Sequence, residues 1–282
     1  MRPAAGLGYL LARTSDTLAD TDSIASEIRM GCLEGFARAL AGGDLPRWPV
    51  AVLNATSNLR ERHLLEGSGD LLNQLRLLPA REAELVREVT SIIVSGQKLD
   101  LERFCGADAT NPIALADDAA LEDYTYRVAG CVGAFWTRLG FLTLGGRFSQ
   151  TPEDTLIEWG ISYGKGLQLV NILRDLPADL AHGRCYLPVV DVHDRDLLLD
   201  SHRRWLARAC ESVQSGFEYS ETLVSRRLRA ASMLPAMIAM KTLERMHSAD
   251  WETLCARVKV PRREVYVLLL KALVGKGGQV PD

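Results

Sequence analysis

The first residues whose types and spacing could do chemistry lie near the start of the chain. Asp16 and Asp20 are four positions apart, and Tyr9 and Arg13 precede them at helical spacing, so all four would share one helix face. Such a carboxylate pair can hold a hard cation such as Mg²⁺, which commonly bridges carboxylates to phosphate groups. The same residues could instead form an ordinary solvated pair on an exposed helix.

A second row of polar residues falls between positions 160 and 179, again at helical spacing. Its amides and carboxylates could bind a cation, and the neighbouring Arg174 and Arg184 could contact phosphate oxygens. Glycine inside a helix costs up to about 1 kcal/mol relative to alanine, so two glycines on this face indicate close approach of another helix or of a ligand. A plain helix crossing with a solvated polar end explains the same residues. The row comprises Gly160, Gly164, Gln168, Asn171, Asp175 and Asp179.

Two acidic helices, each with an arginine nearby, could act together as a clamp. If they face each other, bridging Mg²⁺ ions would let them hold a diphosphate group between them. Between the two segments, Tyr124 and Tyr126 lead into a run of small and apolar residues. These tyrosines could be core aromatics with satisfied hydroxyls, or the run could line a binding pocket.

The elements that must position these residues are helices, because helical patterning covers nearly the whole chain. Leu, Ala, Arg and Glu dominate, and alternating β-branched residues are scarce. Without a linker or a shift in composition, we expect one all-α domain over residues 1–282. The predicted helices span residues 5–20, 23–41, 48–65, 70–78, 81–97, 114–145, 152–180, 194–217, 225–247 and 261–275.

Composition excludes several classes of function. The chain has 282 residues, 47% of them hydrophobic, and a net charge of −3, so it can form a core but offers no positive field for a nucleic acid partner. No apolar run reaches the roughly 18 residues that span a bilayer; the best stretch, 128–136, is too short. The six cysteines show no CxxC spacing. We therefore expect a cytoplasmic protein without a transmembrane anchor.

Three segments together resemble the squalene/phytoene synthase family, the head-to-head (1′-1) branch of the trans-isoprenyl diphosphate synthases. YLLARTSDTLADT, from Tyr9, is similar to the first aspartate-rich motif of the family, and YTYRVAGCVG, from Tyr124, to its tyrosine motif. GKGLQLVNILRDLPADLAHGRCYLP, from Gly164, is similar to the second aspartate-rich signature. Family members usually carry a longer segment before the first motif, so we expect that this flanking segment is missing here.

The resemblance implies a single isoprenoid-synthase helical bundle around a central cavity, and it implies roles for individual residues. The implied Mg²⁺ ligands are Asp16, Asp20, Asn171, Asp175 and Asp179. The implied catalytic residues are the four aspartates of that set together with Tyr124, which would handle a proton as a cyclopropane forms. The residues implied to contact diphosphate or to line the site are Tyr9, Arg13, Gln168 and Arg174. The implied walls of the prenyl pocket are Val128, Val132, Gly160 and Gly164.

The implied reaction joins two farnesyl diphosphates through presqualene diphosphate to squalene, with NADPH as reductant if squalene is the product. No glycine-rich dinucleotide fingerprint is present, so NADPH rests on the resemblance alone. We expect at most peripheral membrane contact, for product release. Alternative functions are a phytoene or dehydrosqualene synthase, a half-reaction enzyme (presqualene diphosphate or hydroxysqualene synthase) of hopanoid or carotenoid biosynthesis, and a non-catalytic helical scaffold.

Overall fold

The computed structural model describes residues 1–274, which are mostly helical. The all-α fold predicted from the sequence is confirmed. The chain divides into two compact units, Met1–Cys105 and a second unit from Gly106 onward. That the whole chain forms one domain stays a prediction.

The first unit consists of helices whose apolar faces pack on one another. The first helix, α1 (Arg2–Ala19), buries Leu7, Leu11 and Leu18, and it packs against the longest helix of the unit, α6 (Ala80–Arg103). The predicted helix over residues 48–65 is wrong as a single element, because the chain is extended at Asn58, whose side chain accepts a hydrogen bond from the Arg60 N–H and starts a new helix. The helices are α1 (Arg2–Ala19), α2 (Ser26–Leu40), α3 (Val50–Ala55), α4 (Leu59–Glu66), α5 (Ser68–Leu77) and α6 (Ala80–Arg103).

The second unit contains the longer helices and a pair of very short strands. The strands pair in parallel, Ile113 opposite Arg184, so the helix predicted from residue 114 begins only at Asp118, after an N-cap at Asp117. The predicted end of the last helix, residue 275, lies outside the described residues. The elements are β1 (Ile113–Ala114), α7 (Asp118–Thr125), a π-helical turn (Tyr126–Gly130), α8 (Cys131–Leu144), a 3₁₀ turn (Gly145–Arg147), α9 (Glu153–Ala181), β2 (Arg184–Cys185), α10 (Arg195–Thr222), α11 (Arg226–His247), α12 (Trp251–Cys255) and α13 (Arg262–Val274).

Helix α9 is the central element of this unit. It begins just after Pro152, with Glu153 and Asp154 in its first turn, where negative charge favours the helix N-terminus. It packs against α8 on one side and α10 on another. A Cβ added at Gly166 would lie 2.8 Å from the backbone nitrogen of Val213 in α10, so the two helices pack closely at this glycine. The predicted range of 152–180 is therefore nearly that of the observed helix.

One helix bears on the expectation that the chain has no transmembrane anchor. The helical stretch Asp118–Arg147 is long and apolar enough by length and composition, and it is the one such stretch among residues 1–274. Core helices of globular proteins meet the same criterion, and 39% of its most apolar window is buried inside this protein. It is therefore a weak indication of a membrane segment.

Candidate active site

The four residues Tyr9, Arg13, Asp16 and Asp20, called here the α1 stripe, share one face of α1 as predicted. The opposite face of the helix is buried, whereas Tyr9 is 68% exposed and Asp20 is also exposed. Arg13 and Asp16 lie between them and are half-buried. The helical spacing of these four residues thus places their side chains on the accessible side of α1, where they can meet a ligand.

Asp16 lies in the most constrained position of the stripe. The side-chain amide of Gln97, a buried residue of α6, donates a hydrogen bond to its carboxylate, and Arg13 Nη1 lies 4.0 Å from its Oδ2. Burial and the negative charge of Asp20 raise the pKa of Asp16 to about 6, although Arg13 and Gln97 act in the opposite direction. Since 42% of the side chain remains exposed, a cation could reach this carboxylate and lower its pKa again.

Asp20 is the C-cap residue of α1. A negative charge at the C-terminus of a helix opposes the helix dipole, so the charge of Asp20 acts against the dipole of α1. Arg13 forms an ion pair with Glu61 of α4, whose carboxylate lies 2.5 Å from the guanidinium.

The second predicted row lies on α9. Asn171 is exposed, and Gln168, Asp175 and Asp179 are half-buried. Asn171 Nδ2 lies 3.5 Å from Gln168 Oε1, so the two amides are neighbours on this face. The face carries amide and carboxylate oxygens in succession, as the spacing predicts.

Asp175 is held between two arginines. Arg174 donates from Nε to Oδ1 at 3.0 Å and from Nη2 to Oδ2 at 2.5 Å. Arg257, which follows α12, donates from Nε to Oδ1 at 2.9 Å and from Nη2 to Oδ2 at 3.4 Å. Burial works to raise the pKa of Asp175, but the hydrogen bonds and charges of the two guanidinium groups prevail and lower it. This carboxylate is therefore ionised at neutral pH.

The glycines of the second row are explained by helix packing. A Cβ added at Gly160 would lie 2.9 Å from the carbonyl oxygen of Gly133, and one added at Gly164 would lie 2.5 Å from that of Ala129. These contacts give the close helix crossing that the sequence left open as the simpler alternative. A role of Gly160 and Gly164 in the wall of a prenyl pocket stays a prediction.

Tyr124 is buried at the end of α7 and stacks on Tyr186, with ring centroids 4.7 Å apart. The π-helical turn that follows begins at Tyr126; such turns occur often at functional sites. Val128 in this turn is half-buried, and Val132 at the start of α8 is 41% exposed. The segment thus offers apolar side chains next to a tyrosine whose ring position is fixed.

The chemistry of these donor residues fits a magnesium ion that arrives with a phosphorylated ligand. Each row supplies two carboxylates at a spacing of four residues, and the α9 row adds the amide oxygen of Asn171. Mg²⁺ is usually bound through one or two carboxylates together with waters and substrate phosphates. Among residues 1–274, no group of three or more acidic, histidine or cysteine side chains forms a cage that could hold a metal by itself.

Sequence reasoning missed three residues of these sites. Gln97 was detectable, because it continues the buried stripe of α6 that includes Val86 and Ile93, and a polar residue in such a stripe needs a partner. Arg257 gave no such signal, and Tyr186 lies within the second aspartate-rich segment but gave no sign of its contact with Tyr124. Their contacts with Asp175 and Tyr124 join residues far apart in the chain.

The fold and the two acidic rows define a class of protein: an all-α protein with paired carboxylates on accessible helix faces. The family model for squalene/phytoene synthase matches residues 1–264. The chain therefore belongs to the squalene/phytoene synthase family, whose members are prenyltransferases that condense prenyl diphosphates head to head and use a divalent metal to bind the diphosphate.

Curated relatives fall in several branches of this family. The presqualene diphosphate synthase of Zymomonas mobilis is 26% identical over 209 residues, which is 70% of this chain and 65% of the relative. The squalene synthase of Saccharomyces cerevisiae is 23% identical over 98% of this chain and 62% of the relative. The chain thus spans slightly less than two thirds of the length of both proteins.

Solved structures share the fold. The complex of TcSQS with the ligand E5700 has a TM-score of 0.74 at 21% identity and covers 96% of this chain and 78% of that chain. Squalene synthase HpnC from Alicyclobacillus acidocaldarius has a TM-score of 0.51 at 20% identity, covering 94% of this chain and 84% of that chain. The helical fold expected from the resemblance is thereby confirmed.

Proposed function

We propose that this protein catalyses the Mg²⁺-dependent head-to-head condensation of two farnesyl diphosphates through presqualene diphosphate to squalene. The observation that carries the proposal is the α9 row, in which an ionised Asp175 lies beside a second carboxylate, an amide and an arginine. These are the groups that a cation and a diphosphate require together. The family membership supplies the type of reaction.

Each acidic row would bind Mg²⁺ for the reaction. Asp16 and Asp20 would do so on α1, and Asn171, Asp175 and Asp179 on α9, and the bound cation would neutralise charge that develops on a departing diphosphate. The guanidinium groups of Arg13 and Arg174 add N–H donors for phosphate oxygens. Tyr9 and Gln168 would orient the same group.

After ionisation, the protein must guide an allylic cation. Val128 and Val132 would line the prenyl chain and exclude water, which would otherwise capture the cation. The double bond of the second substrate attacks the cation, and the proton is lost as the cyclopropane closes. Tyr124, fixed by stacking on Tyr186, would hold its hydroxyl where this proton leaves, with the released diphosphate as the acceptor.

A defined product assay tests this proposal. The full chain is incubated with farnesyl diphosphate or geranylgeranyl diphosphate and Mg²⁺, with and without NADPH, and the products are identified by mass spectrometry. We expect squalene from farnesyl diphosphate with NADPH, and presqualene diphosphate or a dehydrosqualene-like or hydroxylated C30 product without it. A C40 product from geranylgeranyl diphosphate alone would assign the chain to the phytoene branch instead.

The second candidate is an enzyme that stops at presqualene diphosphate. Its support is the similarity to presqualene diphosphate synthases, which includes 37% identity over 109 residues with that of Rhodopseudomonas palustris. Accumulation of presqualene diphosphate that NADPH does not convert further would favour this candidate. In either case we place the reaction in the cytoplasm, with peripheral membrane contact for release of an apolar product.

A further inference from the structure

Arg257 has an unusual backbone conformation next to the proposed metal site. Its φ is 61°, and it is the one non-glycine residue with positive φ in the described range 1–274. It directly follows Ala256, the C-cap of α12, and its N–H donates to the Leu254 carbonyl at 2.9 Å. Glycine usually occupies this position after a helix, because side chains disfavour the left-handed region. An arginine here is tolerated although it strains the backbone.

The side chain of Arg257 reaches the carboxylate that the proposed function assigns to metal binding. Together with Arg174 it makes four hydrogen bonds to the two oxygens of Asp175. A carboxylate has about four lone-pair sites, so two forked guanidinium groups fill them. A cation can then coordinate Asp175 only after at least one arginine has moved away.

The two arginines differ in their freedom to move. Arg174 is adjacent to Asp175 in the same helix, and its side chain is 26% exposed. Arg257 follows a helix of five residues, its side chain is 52% exposed, and its longer contact with Asp175 is 3.4 Å. Arg257 is therefore the partner that can leave at the smaller cost.

We propose that Arg257 is a positioning residue that occupies Asp175 in the metal-free enzyme and must be displaced when the metal binds. This inference rests on the proposed function, since it takes Asp175 as a metal ligand. Displacement is favourable when a diphosphate arrives with the cation, because the phosphate oxygens offer the released guanidinium another anionic partner. Arg257 would thus make metal binding weak without diphosphate and strong with it.

The test measures metal binding directly rather than turnover. Mn²⁺ replaces Mg²⁺, and the free Mn²⁺ concentration is followed by electron paramagnetic resonance. The parent protein is the full chain carrying Asp16→Asn and Asp20→Asn, so that binding reports on the α9 row. Two variants are added to this background. Arg257→Gly suits the left-handed backbone, and Arg257→Gln keeps a side chain of similar length. Arg262→Gln, an exposed arginine five positions further on, is the matched control for loss of charge.

We expect both Arg257 variants to bind Mn²⁺ about tenfold more tightly than the parent, because one set of charge-assisted hydrogen bonds no longer competes with the metal. Arg262→Gln should bind like the parent. In an Asp175→Asn background the effect of Arg257→Gly should vanish, since the two residues then no longer interact. Adding inorganic pyrophosphate should raise the Mn²⁺ affinity of the parent more than that of Arg257→Gly.

Two other results separate the inference from the proposed function. If both Arg257 variants bind Mn²⁺ like the parent while Asp175→Asn abolishes binding, the inference is wrong and the metal site stands. If Asp175→Asn leaves Mn²⁺ binding unchanged, the assignment of Asp175 as a ligand is wrong, and the inference falls with it.

Discussion

The Nε2 atom of His202 in α10 lies 3.2 Å from the carbonyl oxygen of Leu173 in α9. That carbonyl would normally accept from the N–H four residues on, but position 177 is a proline and has no N–H. Because the acceptor is a carbonyl, His202 must be the donor, in its Nε2–H form. A histidine on one helix thus completes the backbone hydrogen bonding of another, within one turn of Asp175.

Substitution of His202 should change the pH dependence of stability. Burial lowers the pKa of His202, aided by Arg203 and opposed by the hydrogen bond with Leu173. The imidazole of the unfolded chain therefore takes up a proton already at about pH 6.5. The contribution of His202 to stability is complete above that pH and is lost as the pH falls from there toward the lower pKa of the folded protein. His202→Gln, which keeps a donor, should lose less unfolding free energy than the wild type between about pH 7.5 and 5.5.

Chemical denaturation at several pH values checks this prediction. His193→Gln, a change at an exposed histidine, is the control and should follow the wild-type curve. His202→Phe should be destabilised by about 1–3 kcal/mol at neutral pH, because the Leu173 carbonyl is then buried without a donor. Parallel curves for wild type and His202→Gln would contradict the account.

Gln97 should support metal binding without touching the metal. It lies 81 residues from Asp16 in the chain, yet its amide donates to the Asp16 carboxylate. Removing a group that orients a metal ligand typically lowers metal affinity or activity about 10–100-fold. In an Asp175→Asn background, which leaves the α1 stripe under test, Gln97→Leu should therefore lower the Mn²⁺ affinity by about that range. Lys98→Gln, next in sequence and paired with Glu34, is the control. Equal Mn²⁺ affinities of the Asp175→Asn protein with and without Gln97→Leu would show that Asp16 needs no such support.

We expect Asp20 to lower the free energy of unfolding and to support product formation. Asp20→Asn removes a negative charge from the C-cap of α1, so the free energy of unfolding should rise by about 0.3–1 kcal/mol at low salt. The same substitution removes a proposed metal ligand, and product formation should fall by at least about 100-fold. Thermal melts at low and high salt, run beside the product assay, measure both effects. A variant that loses stability together with activity would mean that Asp20 serves folding.

The glycine crossing of α8 and α9 should tolerate no side chain. A Cβ at Gly133 would lie 1.9 Å from the carbonyl oxygen of Gly160, so Gly133→Ala must push the helices apart and should cost about 3 kcal/mol or more. Gly6 in α1 is the matched control, since a Cβ there meets nothing within 4 Å. Gly6→Ala should stabilise by about 0.5–1 kcal/mol. Urea unfolding of the two variants gives the comparison, and similar values for both would contradict the packing.

The sequence predicts those features that depend on local helical periodicity, such as which residues share a helix face. The stripe of Arg13 and Asp16 and the row from Gln168 to Asp179 follow from helical spacing alone, and the structure places them on accessible faces. Helix ends are less predictable. The break at Asn58 and the late start at Asp118 depend on side-chain capping and on a two-residue strand pair, which compete with helix propensity at those points.

Contacts between residues distant in sequence were not predictable. Arg257 reaches Asp175 because α12 ends beside α9, and nothing in the local pattern around position 257 indicates an ion pair. Tyr186 reaches Tyr124 for a similar reason, since it directly follows the strand β2. Periodicity therefore predicted which polar residues share a helix face, whereas the side chains that contact them became visible only in the structure.

The most direct test of the central claim, that both acidic rows serve one condensation, compares two conservative variants. Asp16→Asn and Asp175→Asn are incubated with farnesyl diphosphate and Mg²⁺, and C30 products are quantified by mass spectrometry, with circular dichroism as the check on helicity. We expect each variant to retain wild-type helicity and to lose at least about 100-fold in C30 product. Near-wild-type product formation by either variant would contradict the account.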